Sequence, residues 1–200
     1  MAIKSGWDCF GLEAARPTRN VVLRNLTIHS PTSAGVCIGS EISGGIANVR
    51  ATDLVLRDVA TGLRIKASRG RGAYVRNISY SNVSIEGFIT HAIQVSDFYG
   101  QRNPSCGDRN ASAAPRIAGI EYVDVVASAA WQWGADPFAQ AAASFEGLGD
   151  QPITGVRLDN VRLPGARSAA AWDCRHVSGT SRGGVHPAPC RELQGAADVE

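Results

Sequence analysis

The sequence predicts an all-β fold, a right-handed parallel β-helix in which short strands stack as a solenoid. Three observations predict it. Apolar residues recur at fixed offsets in repeated units. An Asn or Asp stands at one offset of every unit, and a further strand-like run follows each of the earlier units.

The units begin at Asn20, Asn48, Asn77, Gly119 and Gly155, with spacings of 28, 29, 42 and 36 residues. One position on come Val21, Val49, Ile78, Ile120 and Val156, and three on come Leu23, Ala51, Tyr80, Tyr122 and Leu158. Six on are Leu26, Leu54, Val83, Val125 and Val161, and eight on are Ile28, Leu56, Ile85, Ala127 and Leu163. The alternation slips by one between the third and sixth offsets, so a bend joins two short strands. In the slip, at the fifth offset, stand Asn25, Asp53, Asn82, Asp124 and Asn160. These residue types tolerate left-handed backbone and can stack side chain on side chain as a ladder.

The third strand of each coil is read from Met1-Ala2-Ile3-Lys4, Val36-Cys37-Ile38-Gly39, Leu63-Arg64-Ile65-Lys66 and Ile93-Gln94-Val95-Ser96, which put Ile3, Ile38, Ile65 and Val95 in one inward column. A period of two in units rich in Val, Ile and Asn disfavours helical repeats. An antiparallel sandwich would leave the recurring Asn or Asp unexplained. The longer spacings are insertions: 100–116 reads as a loop, as does much of 128–151, where Trp131 and Trp133 either stack on sugars or anchor the loop.

Composition narrows the function little. Twenty Lys and Arg against 18 Asp and Glu leave a net charge of +2, which singles out neither nucleic acid nor a membrane surface. No apolar run approaches the roughly 20 residues of a membrane span. The opening residues lack the basic-then-apolar order of a secretory leader. Cys9, Cys37, Cys106, Cys174 and Cys190 have no metal-ligand spacing. Cys174 and Cys190 bracket a Gly/Pro-rich segment, either as two thiols or as a disulfide worth about 3 kcal/mol. Four Asn-x-Ser/Thr sequons occur, at Asn25, Asn77, Asn82 and Asn110, and only Asn110 is expected to be accessible.

The candidate binding residues lie in Thr61–Ser68. Alternation sends Leu63 and Ile65 to one face and sets Arg64 and Lys66 about 7 Å apart on the other. Such a pair is either a receptor for carboxylates along an anionic polymer or an ordinary solvated strand face.

Several motifs in order resemble the polygalacturonases of glycoside hydrolase family 28, the plant-type branch especially. They are Ala2-Ile3-Lys4-Ser5-Gly6-Trp7-Asp8, Gly35-Val36-Cys37-Ile38-Gly39-Ser40-Glu41 with Ser43-Gly44-Gly45, and Gly62-Leu63-Arg64-Ile65-Lys66 with Gly70-Arg71-Gly72. Trp172-Asp173-Cys174 and Pro189-Cys190 resemble that branch's closing cysteine pair. The resemblance implies secretion to the cell wall, a polygalacturonate or pectin partner, and inverting hydrolysis of α-1,4-linked galacturonan. No cofactor or metal, no nucleic acid and no membrane partner is implied, and a complete protein would be a monomer. Arg64 and Lys66 correspond to the family's Arg-x-Lys pair, which grips the galacturonate carboxylate. Lys4 and Ser40 are further substrate-binding candidates on the same sheet, while Glu41 and Asp8 can equally be turn residues.

The family cuts with Asp carboxylates from an Asn-Thr-Asp and a Gly-Asp-Asp motif, one protonating the leaving oxygen and another activating water. Neither string occurs in the 200 residues, and Ala34 stands where many members carry His. The catalytic residues are therefore unassigned. The chain is expected to be a C-terminal portion that lacks its N-terminal coils and shows little or no hydrolysis. On this reading residues 1–190 form a partial β-helix domain of the catalytic family and 191–200 a polar tail, expected to fray after Cys190. The alternatives are a non-catalytic pectin-binding β-helix and a rhamnogalacturonan hydrolase. A pectate lyase is disfavoured because no acidic Ca²⁺ cluster stands out in the sequence.

Overall fold

Left-handed backbone at Asn and Asp turns each repeat into a bent ribbon. In the computed structural model, which describes residues 1–100, 112–128, 141–164 and 171–195, Asn25, Asp53, Asn82, Asp124 and Asn160 all have φ between 50° and 57°. The unit starts form a second bend: Asn20, Asn48 and Asn77 have φ of 55° to 60°, and Gly119 and Gly155 of 64° and 65°. Asn and Gly are the residues that reach this region at least cost.

Between these bends run β1 (Ala2–Ile3), β2 (Thr18–Gly39), β3 (Ile46–Lys66), β4 (Tyr74–Ser96), β5 (Arg116–Ala127), β6 (Ala143–Glu146), β7 (Ile153–Arg162), β8 (Trp172–Arg175) and β9 (Val177–Arg182). Every pairing between them is parallel. The order is β1-β2-β3-β4-β5-β7-β9, with β6 paired to β4 and β8. The fold is a parallel β-helix. Strands β2, β3 and β4 each run round one coil. In the next two coils the same path is divided between β5 and β6, then between β7 and β8.

The register follows the offsets of the repeat. Leu23 pairs with Ala51, Ala51 with Tyr80, Tyr80 with Tyr122 and Tyr122 with Leu158. Inside the coils Ile38, Ile65, Val95 and Phe145 are fully buried in one column; burying each such side chain contributes about 1.5–3 kcal/mol. Aromatic rings continue the core towards the last coils. Tyr80 stacks on Tyr122 at 5.2 Å, Tyr122 meets Phe145 edge-on at 6.2 Å, and Phe145 stacks on Trp172 at 6.4 Å.

Amide ladders tie the bends together on the outside. Asn77 Nδ2 donates to Asn48 Oδ1 at 2.7 Å, and Asn48 Nδ2 to Asn20 Oδ1 at 3.0 Å. Asn82 donates to Asp53 at 2.7 Å and Asn160 to Asp124 at 2.6 Å.

The structure departs from the sequence reading at four places. A helix, α1 (Asp8–Ala14), follows β1; its first residue, Asp8, is buried and accepts from Arg71 Nη1 at 2.7 Å. Part of the expected loop 128–151 is strand β6, because Ala143 and Phe145 bury themselves beneath Ile93 and Val95. The polar tail does not fray at Cys190: Arg191–Leu193 form a 3-10 turn, Leu193 is fully buried, and Gly195 N–H donates to Gly179 at 3.2 Å. The sequon residues Asn25, Asn77 and Asn82 are exposed, although Asn77 and Asn82 donate their amides into the ladders. Asn110, Cys106, Trp131, Trp133 and residues 196–200 lie outside the described residues.

Cys174 and Cys190 form a disulfide, with Cα atoms 6.4 Å apart. Cys9 is disulfide-bonded as well, and Cys37 is a buried thiol. Among the described residues no helix is long and apolar enough to cross a membrane.

Candidate binding face

The third face of the coils is built from the ends of β1 to β4 together with β6 and β8. Its inward residues are Ile38, Ile65, Val95, Phe145 and Cys174. On its outer side, one column runs Cys37, Arg64, Gln94, Ser144, Asp173, and the second runs Gly39, Lys66, Ser96, Glu146, Arg175. The alternation of β3 thus sets Arg64 and Lys66 side by side on one rung. Gly39 leaves the position next to Lys66 open: its φ is 88°, and a Cβ there would run into the Lys66 carbonyl oxygen.

The turn after β4 folds back over this face. Tyr99 N–H donates to the Ala67 carbonyl at 2.9 Å, and Ser68 and Phe98 form an antiparallel bridge. The ring of Tyr99 consequently covers both cations, with its centroid 4.1 Å from Lys66 Nζ and 5.0 Å from the Arg64 guanidinium carbon. Among the described residues neither cation has an ion-pair partner. Arg64 Nε is buried and has no hydrogen-bond partner among them, and neither has Gln94 Oε1 on the next rung. A buried N–H left unpaired costs free energy until something accepts its hydrogen bond.

Lys4 and Ser40 meet on the other side of Arg64 and Lys66, and both turn to Glu41. Lys4 Nζ lies 2.7 Å from Glu41 Oε1, and Ser40 Oγ donates to Glu41 Oε2 at 3.3 Å. Burial works upward on the Glu41 carboxyl, yet the Lys4 ammonium and Ser40 hydroxyl bring it below its usual range. The Lys4 charge is thereby compensated, unlike those of Arg64 and Lys66. Burial pushes the Cys37 thiol up, against the pull of Lys66, Arg64 and Lys4, in that order. All three cations therefore act on one small region.

Four neighbours on this face are not among the residues that the sequence singles out. Tyr99 and Phe98 follow strand β4 as an aromatic pair before Gly100, and that pair was the available clue. Glu146 and Arg175 face each other from β6 and β8, with Arg175 Nη2 2.6 Å from Glu146 Oε1 and Ser96 Oγ donating to Glu146 Oε2 at 3.1 Å. The Arg175 guanidinium carbon lies 5.6 Å from the Phe98 ring centroid. Beneath this edge Asp97 is almost fully buried. Burial raises its carboxyl to about 7, against the Leu148 backbone amide and the Arg69 charge. Among the described residues no group of three or more His, Cys, Asp or Glu is gathered as a metal site.

The face can hold a carboxylate by charge and hydrogen bonds, because guanidinium and ammonium groups present donors beside an aromatic wall. Comparison with known proteins identifies the family and the fold. The sequence profile of Glycosyl hydrolases family 28 matches residues 1–185. A "Probable polygalacturonase" of Vitis vinifera is 38% identical over 195 residues, covering 96% of this chain and 37% of that protein. A "Polygalacturonase" of Prunus persica is 25% identical over 161 residues, covering 78% of this chain and 38% of that protein. Among solved structures, a hyperthermoactive exopolygalacturonase from Thermotoga maritima superposes with a TM-score of 0.76 at 22% identity, over 90% of this chain and 37% of that chain. At that identity the superposition shows the fold alone. The chain spans less than two fifths of the length of each of these three proteins.

Proposed function

The chain belongs to the glycosyl hydrolases of family 28, and we propose that it is the carboxylate-gripping part of a polygalacturonase, whose substrate is α-1,4-linked galacturonan. The observation that carries this reading is the pair Arg64 and Lys66 on one rung beneath Tyr99, without an ion-pair partner among the described residues. A galacturonate carboxylate would receive two hydrogen bonds from the guanidinium and a point charge from the ammonium. Lys4 and Ser40 would act at the edge of the face, where Glu41 already engages them.

In the whole protein, hydrolysis would proceed with inversion, one carboxylic acid protonating the leaving oxygen and a carboxylate activating water on the opposite face. We assign neither role to a residue of this chain, since Asn-Thr-Asp and Gly-Asp-Asp are absent from its 200 residues. The chain by itself is accordingly proposed to bind without cutting. Secretion to the cell wall belongs to the same proposal and is supported by the oxidised state of Cys9, Cys174 and Cys190, since disulfides persist in oxidising compartments.

The test is retention on insoluble polygalacturonate at about 0.15 M salt, where charges farther apart than about 8 Å are screened, with reducing ends measured in parallel. The expected result is retention that trigalacturonate reverses, with no reducing ends above the blank. Unhindered flow-through would contradict the binding proposal, and release of reducing ends would contradict the proposed lack of cutting.

A further inference from the structure

Among the described residues, uncompensated positive charge on the binding face is one rung wide. On the side of β2, Lys4 is neutralised by Glu41 at 2.7 Å. The rung of β3 carries Arg64 and Lys66, a charge of +2, and that of β4 carries uncharged Gln94 and Ser96. The rung of β6 carries Ser144 and Glu146, a charge of −1, and that of β8 carries Asp173 and Arg175, which sum to zero. Parallel rungs are about 4.8 Å apart, so Glu146 stands about 10 Å along the face from Lys66.

The two aromatic residues of the turn divide accordingly. The Tyr99 ring covers Arg64 and Lys66, while Phe98, a residue 39% exposed, lays its ring against Arg175. Ser96, Glu146 and Arg175 are joined by hydrogen bonds of 3.1 and 2.6 Å, and Phe98 N–H donates to Ser96 Oγ at 3.2 Å. This second patch therefore combines a neutralised ion pair, hydroxyl-binding groups and an apolar ring. A free carboxylate seated there would meet that of Glu146 and gain no uncompensated cation among the described residues. An ester methyl or an uncharged sugar face would meet the ring of Phe98, and its hydroxyls would find Glu146 and Arg175.

The geometry points to a specificity-determining second subsite at Glu146, Arg175 and Phe98 that accepts an uncharged unit, a methyl-esterified galacturonate, while Arg64 and Lys66 hold a free one. A pyranose unit advances the polymer by close to one rung, so the two units lie about two or three sugars apart. The preferred ligand is then a partly esterified galacturonan rather than the fully acidic polymer. The inference rests on the proposed carboxylate grip at Arg64 and Lys66 and deepens it.

The test is titration of the chain with two hexagalacturonates, one fully de-esterified and one partly methyl-esterified, at equal ionic strength. The partly esterified hexamer should bind about tenfold more tightly, as expected from removing one like-charge contact. Glu146→Gln should cancel or reverse that ratio, and Arg175→Gln, which leaves the Glu146 charge uncompensated, should widen it. A fold defect common to both variants would move the two ratios in the same direction. Equal affinities for the two hexamers in the unaltered chain, or ratios unmoved by either substitution, would overturn the second subsite and leave the grip at Arg64 and Lys66 standing. Failure of both hexamers to bind would overturn that grip and this inference with it.

Discussion

Lys66 Nζ lies 4.1 Å from the centroid of the Tyr99 ring, so a side chain from the turn after β4 covers a cation at the end of β3. The same ring lies 5.0 Å from the guanidinium carbon of Arg64. Attraction between such a ring and an exposed cation contributes about 0.5–1 kcal/mol, and more where water is excluded. The ring also restrains two long side chains that would otherwise lose conformational freedom on binding.

Replacing the ring should therefore weaken binding without abolishing it. Tyr99→Leu is expected to lower affinity for trigalacturonate by about three- to tenfold, the equivalent of one such contact or slightly more. Tyr99→Phe, which keeps the ring, should stay within about twofold of the unaltered chain. Calorimetry on the two variants separates a role for the ring from a role for the hydroxyl.

The bends give a prediction about stability. Asn48 has φ of 56°, donates to Asn20 and accepts from Asn77. Asn48→Ala loses both bonds and forces an alanine into left-handed backbone, which costs about 1–2 kcal/mol by itself. Asn48→Gly loses the same bonds without that strain. Urea denaturation should show the alanine variant less stable than the glycine variant by about 1–2 kcal/mol. Equal midpoints would show that backbone conformation at the bend carries little of the cost.

Asp97 makes stability depend on pH. Its carboxyl is raised from 3.8 to about 7 in the folded protein, chiefly by burial. The folded state therefore binds the proton more tightly than the unfolded chain. The stabilisation that this provides is complete below pH 3.8, is lost as pH rises towards about 7, and changes no further above that. Asp97→Asn removes the titration. Its stability at neutral pH should exceed that of the unaltered chain by up to roughly 4 kcal/mol, with the difference shrinking as pH falls towards 4. Urea midpoints between pH 4 and 8 would reveal it, and parallel curves for the two proteins would contradict it.

The coils were legible in the sequence because their determinants are local and repeated. Leu23, Ala51, Tyr80, Tyr122 and Leu158 share an offset in the repeat, and pairing puts them in one column. Strand β6 was missed because the long insertion before it breaks the spacing, and Ala143-Ser144-Phe145-Glu146 is too short to show alternation alone. Helix α1 is only seven residues long, and its buried partner Arg71 is 63 residues away from Asp8. The charge balance of the face was hidden for the same reason. Lys4 and Glu41 are 37 residues apart and Glu146 and Arg175 are 29 apart, so neither pair shows without the coil register. The sequence singled out Arg64 and Lys66 by strand alternation, but nothing local marks them as uncompensated.

The most direct test of the central claim is calorimetric titration of trigalacturonate into the chain and into its Arg64→Ala, Lys66→Ala double variant. Hydrogen bonds to charged groups contribute about 1.5–3 kcal/mol each, so losing both residues should weaken binding by about a hundredfold or more. A thermal melt of each protein shows whether both are folded. Equal affinity in two folded proteins would contradict the claim that these cations grip the acidic sugar.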